Sequence, residues 1–179
     1  MPSLTDRMMR AAKLDVALYE EVEADKEALG QALTVVILSS LASGFGAMGT
    51  IGLKGLIFGT IAALVSWFIW AYLTYAIGTK LLPEPQTKAD IGELLRTIGF
   101  SSSPGVLRVL AIIPMLGNFI NLICGIWMLV AMVIAVRQAF DYKCTWRAFA
   151  VCFIGFIVQI FILAIFFKLF GGKGVVQPS

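Results

Sequence analysis

The sequence predicts an all-α, polytopic membrane protein with five transmembrane helices, an N-terminal amphipathic helix and a second amphipathic segment before the third span. Three observations predict it. The chain of 179 residues is 59% hydrophobic with a mean hydropathy of +0.90, and only 14% of it is charged, against about a quarter in soluble domains. Its 14 Lys and Arg residues flank the long apolar runs. Seven of its 11 acids lie within the first 27 residues, and none falls between Glu27 and Glu84. Lipid is the solvent such a chain suits. The organisation is a cytoplasmic amphipathic and acidic segment at 1–30, a five-span domain at 31–170 and a short tail at 171–179.

Residues 2–24 carry Leu4, Met8, Ala12, Val16 and Tyr19 at helical spacing, so they read as one amphipathic helix capped by Ser3 or Thr5. Basic Arg7, Arg10 and Lys13 precede acidic Glu20, Glu21 and Glu23. The segment is too polar to span; it either lies on anionic headgroups or packs on the protein's own cytoplasmic face. Asp25 caps the next helix, and the first span follows at 31–48. A Gly-rich hinge at 49–55 leads into the second span, 56–82, which bears Trp67, Trp70, Tyr72 and Tyr75 and stops at Leu82-Pro83-Glu84-Pro85. Residues 87–100 form the second amphipathic segment, with Ile91, Leu94, Leu95 and Ile98 on one face and Asp90, Glu93 and Arg96 on the other; its expected place is the interface. Cleaner spans follow at 119–136 and 149–170.

The run 102–116, marked by helix breaks at Pro104 and Pro114, is shorter than the ~20 residues a crossing needs. Charge decides its role. With five crossings and a cytoplasmic N-terminus, ten Lys and Arg residues fall inside and three outside, Arg108 being set aside as intramembrane. If the run does not cross, the balance falls to seven against six, or nine against four with the tail moved inside, and the basic loop of Arg137, Lys143 and Arg147 is misplaced. The expected topology is therefore N-terminus in and C-terminus out.

Composition removes whole classes of chemistry. There is no histidine, which excludes His-ligated metals and Ser-His or Cys-His catalysis. Cys124, Cys144 and Cys152 have no metal or disulfide spacing and read as small apolar thiols. The spans carry no carboxylates for hydrolysis, proton relay or a cation pore. No basic cluster with interleaved aromatics points to nucleic acid. Gly44, Gly46 and Gly49 spell GxGxxG, but they follow a helical run and lack the acid about 20 residues on that a dinucleotide site requires. They read as the hinge of a helical hairpin. No catalytic residue, metal or cofactor is expected, and an enzyme is not.

Four groups of residues stand out. Ser40 with Gly44, and Gly55 with Gly59, have the small-xxx-small spacing of close helix packing. Arg108 is an intramembrane arginine, which costs about 2.5–3.5 kcal/mol at mid-bilayer and is functional by default, unless it reaches the cytoplasmic surface. With Asn118 and Asn121 it makes a candidate lipid, ligand or structural polar site. Glu20, Glu21, Glu23, Asp25 and Glu27 form an acidic patch suited to partner contact.

The order of a polar N-terminal segment and five close-set spans, the stretch Gly99-Phe100-Ser101-Ser102-Ser103-Pro104 before span three and the Arg-bearing loop after span four together resemble the Yip (Ypt-interacting protein) domain family. The likeness covers about residues 10–170 and implies a five-span helical fold with a cytoplasmic N-terminus. Eukaryotic members of that family bind Rab-type GTPases in traffic between endoplasmic reticulum and Golgi. This chain has a short N-terminal region, and Asp15–Tyr19 reads Asp-Val-Ala-Leu-Tyr where the family has Asp-Leu-Tyr-Gly-Pro, so it looks more like the small bacterial members. The expected role is a non-enzymatic scaffold, adaptor or accessory subunit of a bacterial inner membrane. Its expected partners are the lipid bilayer and a membrane or cytoplasmic protein or a second copy. The alternative is a small transporter, channel or lipid-handling protein.

Overall fold

A computed structural model describes residues 2–46, 48–113 and 115–170 and, within them, every side chain except those at 46, 48–51, 163 and 166–170. Pro114 and the tail at 171–179 lie outside the described residues. Among the described residues the structure is all-helical: α1 (Leu4–Ala12), α2 (Val16–Ala24), α3 (Ala28–Gly46), α4 (Met48–Ala76) ending in a π-helical turn (Ile77–Leu81), α5 (Ile91–Ser101), a 3-10 helix (Ser103–Ile112), α6 (Gly117–Ala139) and α7 (Thr145–Phe170).

The N-terminal segment is two helices, not one. Leu14 takes a left-handed conformation (φ 62°), and Asp15 starts α2 by accepting a hydrogen bond from the Ala17 amide at 3.0 Å. Ser3 caps α1, accepting from the Asp6 amide at 3.2 Å. The resulting hairpin packs on the protein: Ala11, Leu18, Tyr19 and Val22 are fully buried, and the Trp127 indole of α6 donates to the Ala12 carbonyl at 2.8 Å. Its cover is visible along α6, where large apolar residues are exposed up to Val130 and Ala131, Val133, Ala135 and Val136 are buried. Met9 and Val16, at the tip of the hairpin, remain exposed.

Among the described residues four helices are long and apolar enough to cross a membrane: Ala28–Phe45, Gly52–Leu81, Gly117–Ala139 and Thr145–Ile162. The hinge before the second is set by Gly52, whose φ of +61° only glycine adopts freely. The third expected span is composite. Residues 94–101 of α5 are buried in the centre of the bundle, not laid at the interface. From there α5 and the 3-10 helix run parallel to α3, since Gly99 meets Ala32, Gly105 meets Ser39 and Arg108 meets Ser43. At ~1.5 Å per α-helical residue and ~2.0 Å per 3-10 residue the two pieces reach about 36 Å, against a hydrocarbon core of about 30 Å. The run that is too short alone is thus lengthened from its N-terminal side. Pro104 sits at the start of the 3-10 helix, where its missing N–H costs nothing.

The burial of α5 reverses the expected role of Arg96. It does not face water: it is 6% exposed, and its guanidinium donates to the last carbonyls of α2, to Val22 at 2.8 Å and to Glu23. A cation at a helix C-terminus satisfies orphan carbonyls and complements the helix dipole. Asp90 and Glu93 close a capping box at the other end of α5 (2.9 and 2.8 Å). Replacing Arg96 by methionine keeps the bulk and removes both bonds. With charge-assisted hydrogen bonds contributing ~1.5–3 kcal/mol each, Arg96→Met is expected to lower stability by at least about 2 kcal/mol, read as a fall in the thermal midpoint in detergent.

Candidate functional site

Helices α3, α4, α6 and α7 and the 3-10 helix line an open-sided cavity of about 790 Å³, within the ~300–1,000 Å³ of small-molecule sites. Its existence follows from small side chains. Gly44 of α3 accepts the Leu56 side chain of α4 where a Cβ would collide, so the two helices touch there. Farther along α4, Gly55, Gly59 and Ala63 line open space; a Cβ at Gly59 would meet nothing within 4 Å. Of the expected packing residues, Gly44 is therefore a contact point, whereas Gly59 faces the cavity. α4 meets α7 nearer its other end, where Gly155 packs against Trp70 and Ile77.

Most of the lining is apolar, including Val36, Leu56, Leu129 and Phe156, and a few polar groups converge on it. Ser39, Ser40 and Ser43 come from α3, Ser66 from α4, Ser102 from the end of α5 and Gln159 from α7. Arg108 is the cation. Its Nη1 lies 3.4 Å from Ser43 Oγ, at the outer limit of a hydrogen bond, and its Nε is buried without a partner. The indole N–H groups of Trp67 and Trp70, which line the same cavity, are also buried without partners. Among the described residues no Asp, Glu or Lys lines the cavity, so the guanidinium charge is unbalanced.

Depth matters here. Ser43 lies 15 residues into α3, about 22 Å from its start at ~1.5 Å per residue and three residues before its end at Gly46. Arg108 thus lies past the middle of α3, and on α6 its guanidinium comes near Gly125, two residues from the Trp127 that bonds the hairpin. The guanidinium is turned to Ser43 of α3 and not back toward the start of the span, as the sequence allowed. Asn118 and Asn121 are not brought to it: Asn118 lines a separate small pocket with Ala111, Ile113, Met115 and Gly117, and Asn121 is exposed on α6.

The acidic patch is largely engaged within the protein. Arg7, 2% exposed, donates to Glu21 (2.9 Å), Asp25 (2.7 Å) and Gln31 (2.9 Å); Arg10 donates to Asp15 (2.8 Å) and Glu21 (2.6 Å). Asp25, the C-cap residue of α2, also accepts from the Glu27 amide at 3.0 Å in the turn before α3. Hydrogen bonds from Arg7 hold the Asp25 carboxyl below its ordinary range, and those from Arg10 do the same for Asp15. Glu20 accepts from Gln138 at 2.8 Å, and Glu27 is exposed.

The Yip1 domain family model matches residues 16–174. The chain belongs to the Yip1 domain family. Neither the curated proteins nor the solved structures contain a match. The Yip1 match and the four long apolar helices together make this an integral membrane protein. The Yip1 domain begins at the second helix of the hairpin, so α2 belongs with the spans it covers.

Glu23 is the exception in the patch. Burial, then the nearby Asp141, Glu93 and Glu20, push its carboxyl up to about 7. A carboxyl whose folded value lies above its ordinary 4.5 holds a proton more tightly when folded. Its contribution to stability is complete below that ordinary value and is lost as pH rises through about 7. Glu23→Gln removes this dependence. The variant is expected to have a higher thermal midpoint than the parent at pH 8 and a flatter profile between pH ~4.5 and ~7.

Proposed function

We propose that this Yip1-domain chain is a non-enzymatic, lipid-handling membrane protein that draws an amphiphile from the bilayer into the cavity between α3, α4 and α6. One observation carries this reading: a mostly apolar cavity of about 790 Å³, set among membrane-crossing helices, holds an arginine with no acid to balance it. Apolar walls with a few convergent polar groups are the usual make-up of a small-molecule site, and an ionisable residue at membrane depth marks function by default. The proposal places the N-terminus in the cytoplasm and the C-terminus outside, which the ten-to-three distribution of Lys and Arg supports.

A scaffold or adaptor role is the second reading. With Glu21 and Asp25 turned to Arg7 and Arg10, the surface left to a protein partner is the outer face of the hairpin, where Met9, Val16 and Glu27 are exposed.

The two readings separate on purification in mild detergent followed by native mass measurement. Lipid handling predicts lipid retained on the parent protein and lost from Gly59→Leu, which puts a side chain where a Cβ would meet nothing within 4 Å. A lipid-free protein carrying a stoichiometric protein partner would favour the adaptor instead.

A further inference from the structure

The cavity restricts the amphiphile further through charge balance and position, an inference that rests on the reading above. One guanidinium offers one positive charge, and among the described residues nothing else charged lines the walls. A phosphodiester carries one negative charge and matches it. A phosphate dianion would leave a charge uncompensated in an apolar site, which is costly. A zwitterionic headgroup would bring an ammonium for which the walls hold no carboxylate. The remaining polar groups are hydroxyls and an amide: Ser39, Ser40, Ser66, Ser102 and Gln159. These donate to and accept from other hydroxyls.

Position agrees with this chemistry. Arg108 stands opposite Ser43, three residues from the end of α3 remote from the hairpin. A long arginine side chain can carry its charge some way from its backbone toward the nearer headgroup layer. Beside it the Gly55–Gly59–Ala63 face of α4 leaves a strip of cavity with no side chain larger than a methyl. An extended acyl chain fits such a strip, continuing from a phosphate held at the guanidinium.

We propose that the cavity binds an anionic phospholipid with an uncharged headgroup. Arg108 and Ser43 hold the phosphodiester, and one acyl chain lies along Gly55, Gly59 and Ala63. Arginine suits the role because its planar fork can present two parallel N–H groups to phosphate oxygens.

The test uses the full chain in nanodiscs. Retention is measured for phosphatidylglycerol, phosphatidylethanolamine and diacylglycerol, with inorganic phosphate as a soluble competitor. The parent protein is expected to hold phosphatidylglycerol at least about tenfold more tightly than phosphatidylethanolamine, the size of one charge-assisted contact. Arg108→Gln is expected to lose that preference and still hold lipid; Arg108→Lys keeps part of it; Gly59→Leu holds none of the three. Equal retention of phosphatidylglycerol and phosphatidylethanolamine by the parent overturns the headgroup assignment, whether or not the Arg108 variants fold. Loss of all lipid from Gly59→Leu alongside an unselective parent leaves the lipid-handling reading standing. Retention unchanged in Gly59→Leu removes both. Displacement of lipid by millimolar inorganic phosphate would make the free anion the ligand and also overturn the proposal.

Discussion

At Gly99 the backbone of α5 comes so close to α3 that a methyl group would stand 2.8 Å from the Ala32 side chain. Glycine permits this approach, and much of the structure depends on it. Because α5 lies against α3 there, the 3-10 helix that follows is carried alongside α3 with Gly105 opposite Ser39. Its fifth and sixth residues, Leu107 and Arg108, then emerge at the level of Ser43. A wider separation at residue 99 would shift the whole composite segment, and the arginine with it. The interaction is one of shape, close backbone approach between small residues, which is how helices associate where lipid tails remove the usual hydrophobic drive.

A second consequence concerns the polar end of the bundle. α5 has an arginine and an acid, with a second acid at its N-cap, yet it is central. The α1–α2 hairpin makes that possible by bringing the C-terminal carbonyls of α2 to Arg96 and by shielding the lower part of α6 from lipid. The hairpin is held in its own turn by Arg7 and Arg10 against Asp15, Glu21 and Asp25. Buried ion pairs of this kind contribute less to net stability than to fixing one geometry. Here the geometry fixed is the seating of the hairpin on the membrane domain. Acids that looked available to a partner are the groups that seat it.

The long apolar helices, the glycine hinge at Gly52, the Ser3 cap and the isolated arginine were all legible in the sequence, because each depends on local pattern or chain chemistry. The break at Leu14 was not: leucine carries no signal for a left-handed conformation, and the hint was Asp15, an N-cap residue in the middle of an apparently continuous helical pattern. Arg96 was misplaced because periodicity separates polar from apolar faces and does not tell a solvated polar face from one paired with a neighbouring helix. The cavity was half legible. Arg108 stood out by its cost in lipid, whereas its grouping with Ser43, Ser66, Trp67 and Gln159 depends on the faces that separate helices turn toward one another. Gly55 and Gly59 had the spacing of a packing seam, and the same absence of side chains that would let a helix approach here leaves room unfilled.

The Yip1 domain thus presents a membrane bundle closed at one end by charged pairs and hollow toward the other, with one unbalanced cation in the hollow. The central claim is that this space is a lipid site. The most direct measurement is a high-resolution map of the full chain in lipid nanodiscs. The account predicts an elongated density lying along Gly55, Gly59 and Ala63 with its head against the Arg108 guanidinium. A map in which α4 closes onto α6 and fills the space, or in which the space holds only water, would contradict it.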